Sequence, residues 1–514
     1  MKRLSSFLFS LIAMFALSHA YDFEVDGICY SFISGSDTSV MVMPRGDYAG
    51  GIGYANLNGA VVIPSTVTFE GRNYTVTEIG ESSFEFCNGI TSVTLPNTLI
   101  TINNFAFAGC TGLTNIEFPE SLKNIYHEAF RGCTGLQGDL VIPSTLEKLG
   151  GSAFSGCNGI KTVYFYPEEF KSSTKFPSSV ENFIFGDNVR VIPESCCAGL
   201  DKLTSITIPK SVTTIGNNAF YGCTGIKDVT WNAINVNFQG YNNLPPSANI
   251  ESITFGDEVE AIPQTLAAGS KITSIVIPNR VKILGQGTFM NCINLASIHI
   301  PSSVTMIFHG DSYGAFRGCT GLKEITVDPG NTAYDSRGNC NAIISTKTQT
   351  LMLGCSNSVI PKDVKYIGSY AFENCSELTH AEMPDSLIAI GVNAFYKCTG
   401  LTEVSFPRTV VSIGNRAFYY CTNISKMTVL SSYPPQITEY NYDSGTFYGV
   451  SNSIPLYVPM GAKERYKSAK GWLSFSNIIE LEPTGEQLNQ FDVNYDGKVD
   501  IEDVNAVINE MLGK

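Results

Sequence analysis

The sequence is poor in charge: only 16% of its 514 residues are Asp, Glu, Lys or Arg, and acids outnumber bases 47 to 33. A net charge of −14 excludes the basic footprint that nucleic acid or an anionic lipid surface requires. Histidine is scarce as well. Of five, His19 falls in an N-terminal leader, leaving His127, His299, His309 and His380. There is no H-E-x-x-H and no phosphate loop, so the chain does not read as an enzyme. A nonlocal pair of carboxylates leaves no such pattern, and a glycan- or peptide-processing enzyme therefore stays as a distant alternative. No C-x-x-C pair suggests a zinc or iron site. Past the leader, no apolar run approaches the ~20 residues that cross a bilayer.

The leader is well formed. Lys2 and Arg3 precede an apolar core from Phe7 to Leu17, and Ser18-His19-Ala20 supplies small residues for cleavage before Tyr21. No cysteine follows that point to carry a lipid. Residues 1–20 are read as a signal peptide and the mature chain as secreted, extracellular or held at the cell surface.

Beyond the leader one phrase recurs. Ile390-Gly391-Val392-Asn393-Ala394-Phe395, Cys398, Leu401, Val404 and Phe406-Pro407 lead into Ile413-Gly414-Asn415-Arg416-Ala417-Phe418 and Cys421, a step of 23 residues. Cys87, Cys110 and Cys133 keep the same step, as do Cys375, Cys398 and Cys421. Fifteen cysteines in an exported chain would ordinarily indicate a disulfide framework. Here the spacing ties them to the repeat, as small buried thiols. The vicinal pair Cys196-Cys197 sits where the phrase has Ala-Phe, which puts Leu200 in the cysteine position.

Within each copy, Leu113-x-x-Ile116-x-Phe118-Pro119 alternates apolar and polar, the period of a strand with one buried face. Pro119 lacks an N–H and ends that strand. Ile125 to Cys133 is spaced as a short helix or helical turn. A strand and a return segment in 23 residues make one coil of a solenoid with a parallel β-sheet face, in about fourteen coils. The domain reading is N-terminal cap strands over 21–60, the repeat solenoid over 61–430, a C-terminal cap over 431–482 and a small calcium-loop and helix module over 483–514. In the cap, Ile454 to Pro459 reads as a final strand and Gly461 to Lys470 as a helix backed by Trp472.

Alternation also assigns the outward side chains of the strand face. They are Thr94, Glu117, Val141, Tyr164, Ile184, Thr207, Thr230, Thr254, Val276, His299, Thr326, Glu382, Ser405 and Thr428. This mildly polar row is the candidate binding surface for a large partner. It also fits ordinary strand residues on a wetted face. Two insertions interrupt the array. Ile307 to Phe316 gains a loop around His309-Gly310-Asp311-Ser312. About 329–358 contains a hairpin, Ala342 to Ser345 and Thr350 to Leu353, whose turn places Cys340 and Cys355 opposite one another as the one pair able to form a disulfide.

The tail carries a metal pattern. Asp492, Asn494, Asp496, Asp500 and Asp503 put oxygen donors at loop positions 1, 3, 5, 9 and 12, with Gly497 at the sharp turn and the Lys498 carbonyl at position 7. Such spacing suits Ca2+. Val504, Val507, Ile508, Met511 and Leu512 form an apolar helical face behind it. Asp503 in place of Glu, with no preceding helix, resembles a single type I dockerin repeat, a resemblance that implies a cohesin-like partner.

The A-F-x-x-C and L-x-x-I-x-L-P phrases of residues 60–430 resemble the BspA-like leucine-rich repeats of bacterial surface and secreted proteins. The resemblance implies a right-handed parallel solenoid and adhesion to protein or glycan macromolecules on host or bacterial surfaces. A component of a surface complex, docked through the calcium-dependent tail, is the alternative.

Overall fold

The computed structural model describes residues 21–481 other than 47–53, 55–56, 171, 241–242, 310–312 and 439–444. The chain is a parallel-sheet β-solenoid of about 17 turns, divided into two compact units, Met1–Ala261 and Ile262–Lys514.

Most coils have two strands. The first is the one that alternation marks. In the N-terminal unit, Ser205–Ile208 lies parallel to Asp228–Trp231, and that strand to Ser252–Phe255. Ile206, Ile208, Val229 and Trp231 point into the core. The proline that ends this strand turns the corner through its carbonyl: Leu122 N–H donates to Pro119 O at 3.0 Å, as Leu99 does to Pro96 O.

The second strand corrects the expected helical return. Thr101–Ile102, Asn124–Ile125 and Lys148–Leu149 pair in parallel and in register. The rest of each return segment is a run of tight turns, and among the described residues the one α-helix is Lys463–Ser468. The hydrogen bonds explain why. Phe105, Phe107 and Gly109 donate their N–H groups to His127, Ala129 and Arg131 of the next coil, at 3.2, 2.8 and 2.7 Å. Ala106, Ala108 and Cys110 instead close short turns onto Asn103, Phe105 and Phe107. Left-handed backbone at Phe105 (φ 55°) and Gly109 (φ 74°) breaks any helical run. Spacing of apolar residues alone does not distinguish this arrangement from a helical turn.

The phrase's invariant letters form the core. Phe84, Phe107, Phe130 and Phe154 stack coil on coil with ring centroids 5.1, 5.2 and 5.3 Å apart and nearly parallel planes. Phe372, Phe395 and Phe418 repeat the ladder in the C-terminal unit at 5.0 and 5.1 Å. All fifteen cysteines are free and buried. Their chemistry is more specific than filling space. Cys110 donates its thiol to Phe84 O at 3.0 Å, Cys133 to Phe107 O at 3.0 Å and Cys421 to Phe395 O at 3.0 Å. Each thiol thus occupies a carbonyl of the preceding coil. Burial pushes Cys87 and Cys421 up to about 12, so these thiols are not poised for redox chemistry. Cys197 stands in the phenylalanine position, its N–H on Ala219 O, and accepts the Cys223 thiol on its own carbonyl at 2.9 Å.

Residues 21–43 cap the first coil. Phe23–Val25, Ile28–Phe32 and Ser39–Met43 form an antiparallel set whose last strand joins Arg72–Ile79 in parallel. Tyr54 is buried, donates to Met43 O at 2.9 Å and stacks on Phe84 at 5.1 Å, starting the ring ladder.

In the insertion, Ile343–Ser345 and Thr350–Leu353 pair antiparallel. The Cys340–Cys355 bridge is not formed, and both thiols are free. A bulge between Ile343 and Ile344 shifts the register by one residue, so the two cysteines are not opposed. Instead Cys355 Sγ accepts from Asn341 Nδ2 at 3.2 Å. The insertion after Ile307 closes through Ala315 N–H on Phe308 O, while Gly310, Asp311 and Ser312 lie outside the described residues.

The C-terminal cap also differs from expectation. The described residues of 436–458 (436–438 and 445–458), which carry no repeat phrase, belong to a further coil. Gln436–Ile437 pairs with Ser412–Ile413, and Leu456–Val458 with the strand Lys426–Val429. Phe447 stacks on Phe418 at 5.8 Å, with Val450 buried where the phrase has cysteine. The helix is shorter than Gly461 to Lys470. Behind it Trp472 is fully buried and donates Nε1–H to Pro435 O at 2.9 Å, and Ile478–Glu480 adds an unforeseen last strand.

Candidate binding surface

All fourteen residues assigned outward by alternation are exposed or half-buried, each beside a buried neighbour. In the N-terminal unit they fall into ladders. Val141 lies opposite Tyr164 and Tyr164 opposite Ile184, while Thr207, Thr230 and Thr254 form one row. Thr94 ends its strand, and Glu117 follows the short strand Asn115–Ile116. Val141 and Ile184 are 48% and 41% exposed, so this stretch presents apolar surface between hydroxyls.

In the C-terminal unit His299 and Thr326 are opposed, and His299 Nδ1 meets Thr326 Oγ1 at 3.0 Å. Ser405 lies opposite Thr428. Val276, 81% exposed, and Glu382 lie outside any ladder. A shallow groove of about 290 Å³ runs over His380, Glu382, Glu403, Ser405, Lys426 and Thr428. Lys426 Nζ is 3.8 Å from the Glu403 carboxylate.

Two features were invisible to the periodicity. The first is a wall of tyrosines on the turns. Tyr396, Tyr419 and Tyr448 stack at 5.2 and 4.9 Å, with Lys397 and Arg416 placed over the Tyr396 and Tyr419 rings. Lys397 occupies the left-handed position (φ 58°) that Gly109, Gly132 and Gly222 hold in other coils. An L side chain there is strained, and Lys397→Gly is expected to raise stability by about 0.5–1 kcal/mol. A urea midpoint that stays level or falls would mean that the contact with Tyr396 outweighs the strain.

The second is a cleft of about 680 Å³ where the insertion stands against the strand Glu324–Val327, walled by Ser336, Asn339, Asn341 and Asn357. Its parts come from segments distant in sequence, so no local pattern announces it.

Asp492, Asn494, Asp496, Lys498, Asp500 and Asp503 lie outside the described residues. Among those described, no group of three or more His, Cys, Asp or Glu could hold a metal ion. No described helix is long and apolar enough to cross a membrane.

No curated protein matches the chain in sequence. Among solved structures it is similar to a leucine-rich repeat protein from Bacteroides ovatus, at 22% identity and a TM-score of 0.42, over 90% of this chain and 100% of that one. It is also similar to a leucine-rich cell surface protein from Faecalibacterium prausnitzii, at 18% identity and 0.29, over 91% and 96%. The pneumococcal vaccine antigen PcpA aligns at 16% identity and 0.26, over 90% and 100%. The family described as BspA type leucine rich repeat region (6 copies) matches residues 65–175, 169–294, 240–353 and 343–454. From residue 65 to residue 454, then, the chain belongs to the BspA-type leucine-rich repeat family.

Proposed function

We propose that the protein is an adhesin-like binding protein, secreted or held at the cell surface, that engages a host or microbial macromolecule through its strand faces. The observation that supports this is the outward side chains of the strand ladders within each unit, such as Thr207, Thr230 and Thr254, set in register over a buried opposite face. Catalysis is not part of the reading, because the chain carries no H-E-x-x-H or phosphate-loop motif. The sequence spacing of 492–503 further supports one Ca2+ in the tail, held by Asp492, Asn494, Asp496, Asp500, Asp503 and the Lys498 carbonyl. A tail of that kind could dock a cohesin-like domain.

One pull-down series separates the two routes. Mature protein is incubated with host-matrix and bacterial-envelope extracts, with and without EDTA, and with residues 483–514 deleted. Binding is expected to survive both treatments and to fall at least tenfold when Thr207→Glu and Thr230→Glu place charge on the face. Loss in both treatments, with the face variants unaffected, would move the binding site to the tail. Calorimetry with CaCl2 tests the tail directly: one equivalent bound, and none after Asp492→Ala with Asp496→Ala.

A further inference from the structure

The strand Glu324–Val327 pairs with Ser297–Ile300 on one side only. On the other, where the next coil would supply a strand, the insertion supplies side chains. Ile325 N–H donates to Asn341 Oδ1 at 2.6 Å, Asn341 Nδ2 donates to Lys323 O at 2.8 Å, and Ser336 Oγ donates to Ile325 O at 3.4 Å. One asparagine thus does the hydrogen bonding of an absent strand. The wall it belongs to is braced. Arg337 grips the Asp335 carboxylate through Nε (2.8 Å) and Nη2 (2.7 Å) and reaches Asp363 with Nη1. The cleft of about 680 Å³ between wall and strand is therefore preformed.

The lining selects a ligand class. Glu324, Thr326, Asn339 and Asn357 are exposed: the carboxylate can accept, and the Asn339 amide can donate and accept. Asn357 keeps its carbonyl and a second N–H beside its bond to Lys323 O, and the Thr326 hydroxyl, bonded to His299 Nδ1, keeps one further hydrogen-bonding position. Ile325 turns inward and is 1% exposed, which leaves half-buried Val327 and the aliphatic parts of the polar side chains as the apolar surface, mixed with the hydrogen-bonding groups. The cleft pairs one ammonium, on Lys323, with one carboxylate, on Glu324. An anionic ligand would meet the carboxylate and a cationic one the ammonium. An extended peptide would seek the strand edge by strand addition, and the Ile325 N–H that such a peptide needs is already taken by Asn341. Groups that donate and accept at once, with no net charge, match a hydroxyl-rich neutral ligand.

We propose that this cleft is a binding site for a short neutral oligosaccharide. The site names one ligand class within the binding reading above; it shares Thr326 with the strand face and lies apart from the Thr207 and Thr230 row.

The test uses the full mature chain on an array of neutral and acidic oligosaccharides, with calorimetric titration of the sugars retained. Neutral oligosaccharides are expected to bind, with affinity insensitive to NaCl between about 50 and 500 mM, since no net charge is neutralised. Asn339→Gly keeps the left-handed backbone (φ 54°) while removing the amide, and Glu324→Ala removes an exposed carboxylate. Each is expected to weaken binding at least tenfold with an unchanged thermal midpoint, whereas Thr207→Glu leaves sugar binding intact. Retention of acidic sugars alone, no retention, or equal affinity in both variants would overturn the proposal. Macromolecular pull-down with Glu324→Ala tells the two readings apart, since the strand-face partner is expected to stay bound when the sugar is lost.

Discussion

Phe395→Ala is expected to destabilise the C-terminal unit by about 3–5 kcal/mol, the usual effect of emptying a buried phenylalanine site. Phe395 has no solvent exposure and lies between Phe372 and Phe418, its plane within 5° and 8° of theirs. Its N–H donates to Ala417 O, and its carbonyl takes the Cys421 thiol. Truncation removes two ring contacts at once, and both sit on interfaces between adjacent coils. A coil has no neighbours except the two beside it, so weakening both interfaces uncouples the coils on either side. Urea unfolding followed by circular dichroism is therefore expected to gain an earlier, second transition. Thr428→Ala, on the wetted face of a neighbouring coil, is expected to stay within about 0.5 kcal/mol of the parent. A Phe395→Ala change under about 1 kcal/mol would show that the ring ladder does not hold the unit together.

Lowering the pH is expected to cost the same unit about 2–3 kcal/mol through one histidine. Burial pulls His309 down to about 4. Its ring occupies space beside Gly368, where a Cβ would come within 2.3 Å of Nε2. In the unfolded chain the imidazole titrates near 6.5. Between these two values the unfolded state binds a proton that the folded state does not. Stability is thus complete above about pH 6.5, falls as the pH drops toward 4, and loses nothing further from this group below that. The shift of about 2.5 pH units corresponds to roughly 3 kcal/mol at the lower limit, of which about 2.5 is reached at pH 4.5. The check is the difference in unfolding free energy between pH 7 and pH 4.5 for the parent and for His309→Leu. The parent's difference is expected to exceed the variant's by about 2–3 kcal/mol, and equal differences would refute the assignment.

Much of this architecture can be read from the sequence because the repeated letters are core letters. Ile206, Val229 and Ile253 are buried in ladder register, and Thr207, Thr230 and Thr254 face out, as strand alternation requires. Four things escaped, for different physical reasons. The two-residue strands such as Asn124–Ile125 are too short to have a period, so they merge with the apolar spacing of the adjoining turn. The last coil hides because Phe447 comes 29 residues after Phe418, with threonine and valine replacing alanine and cysteine around it. The Cys340 and Cys355 register fails on a single bulged residue, which turn symmetry does not reveal. The sugar cleft depends on Asn341 reaching Ile325 across the insertion, a contact set by folding and absent from any local phrase.

The hydrogen bonds between coils also constrain how such a gene can change length. On the turns, N–H groups of one coil seek carbonyls of the next, as Phe107 does with Ala129; at the second strand the polarity reverses, with Tyr126 N–H returning to Ile102 O. Every regular coil therefore shows one set of donors and acceptors to its predecessor and the complementary set to its successor. Unequal recombination that adds or removes a whole 23-residue copy rejoins matching surfaces, whereas a breakpoint that leaves half a copy sets donor against donor. Copy number is in this sense a heritable dial with whole-coil steps. Small insertions are accommodated at corners such as the one after Ile307, where Phe308 N–H still reaches Leu284 O and Tyr313 O accepts from Gly287 N–H.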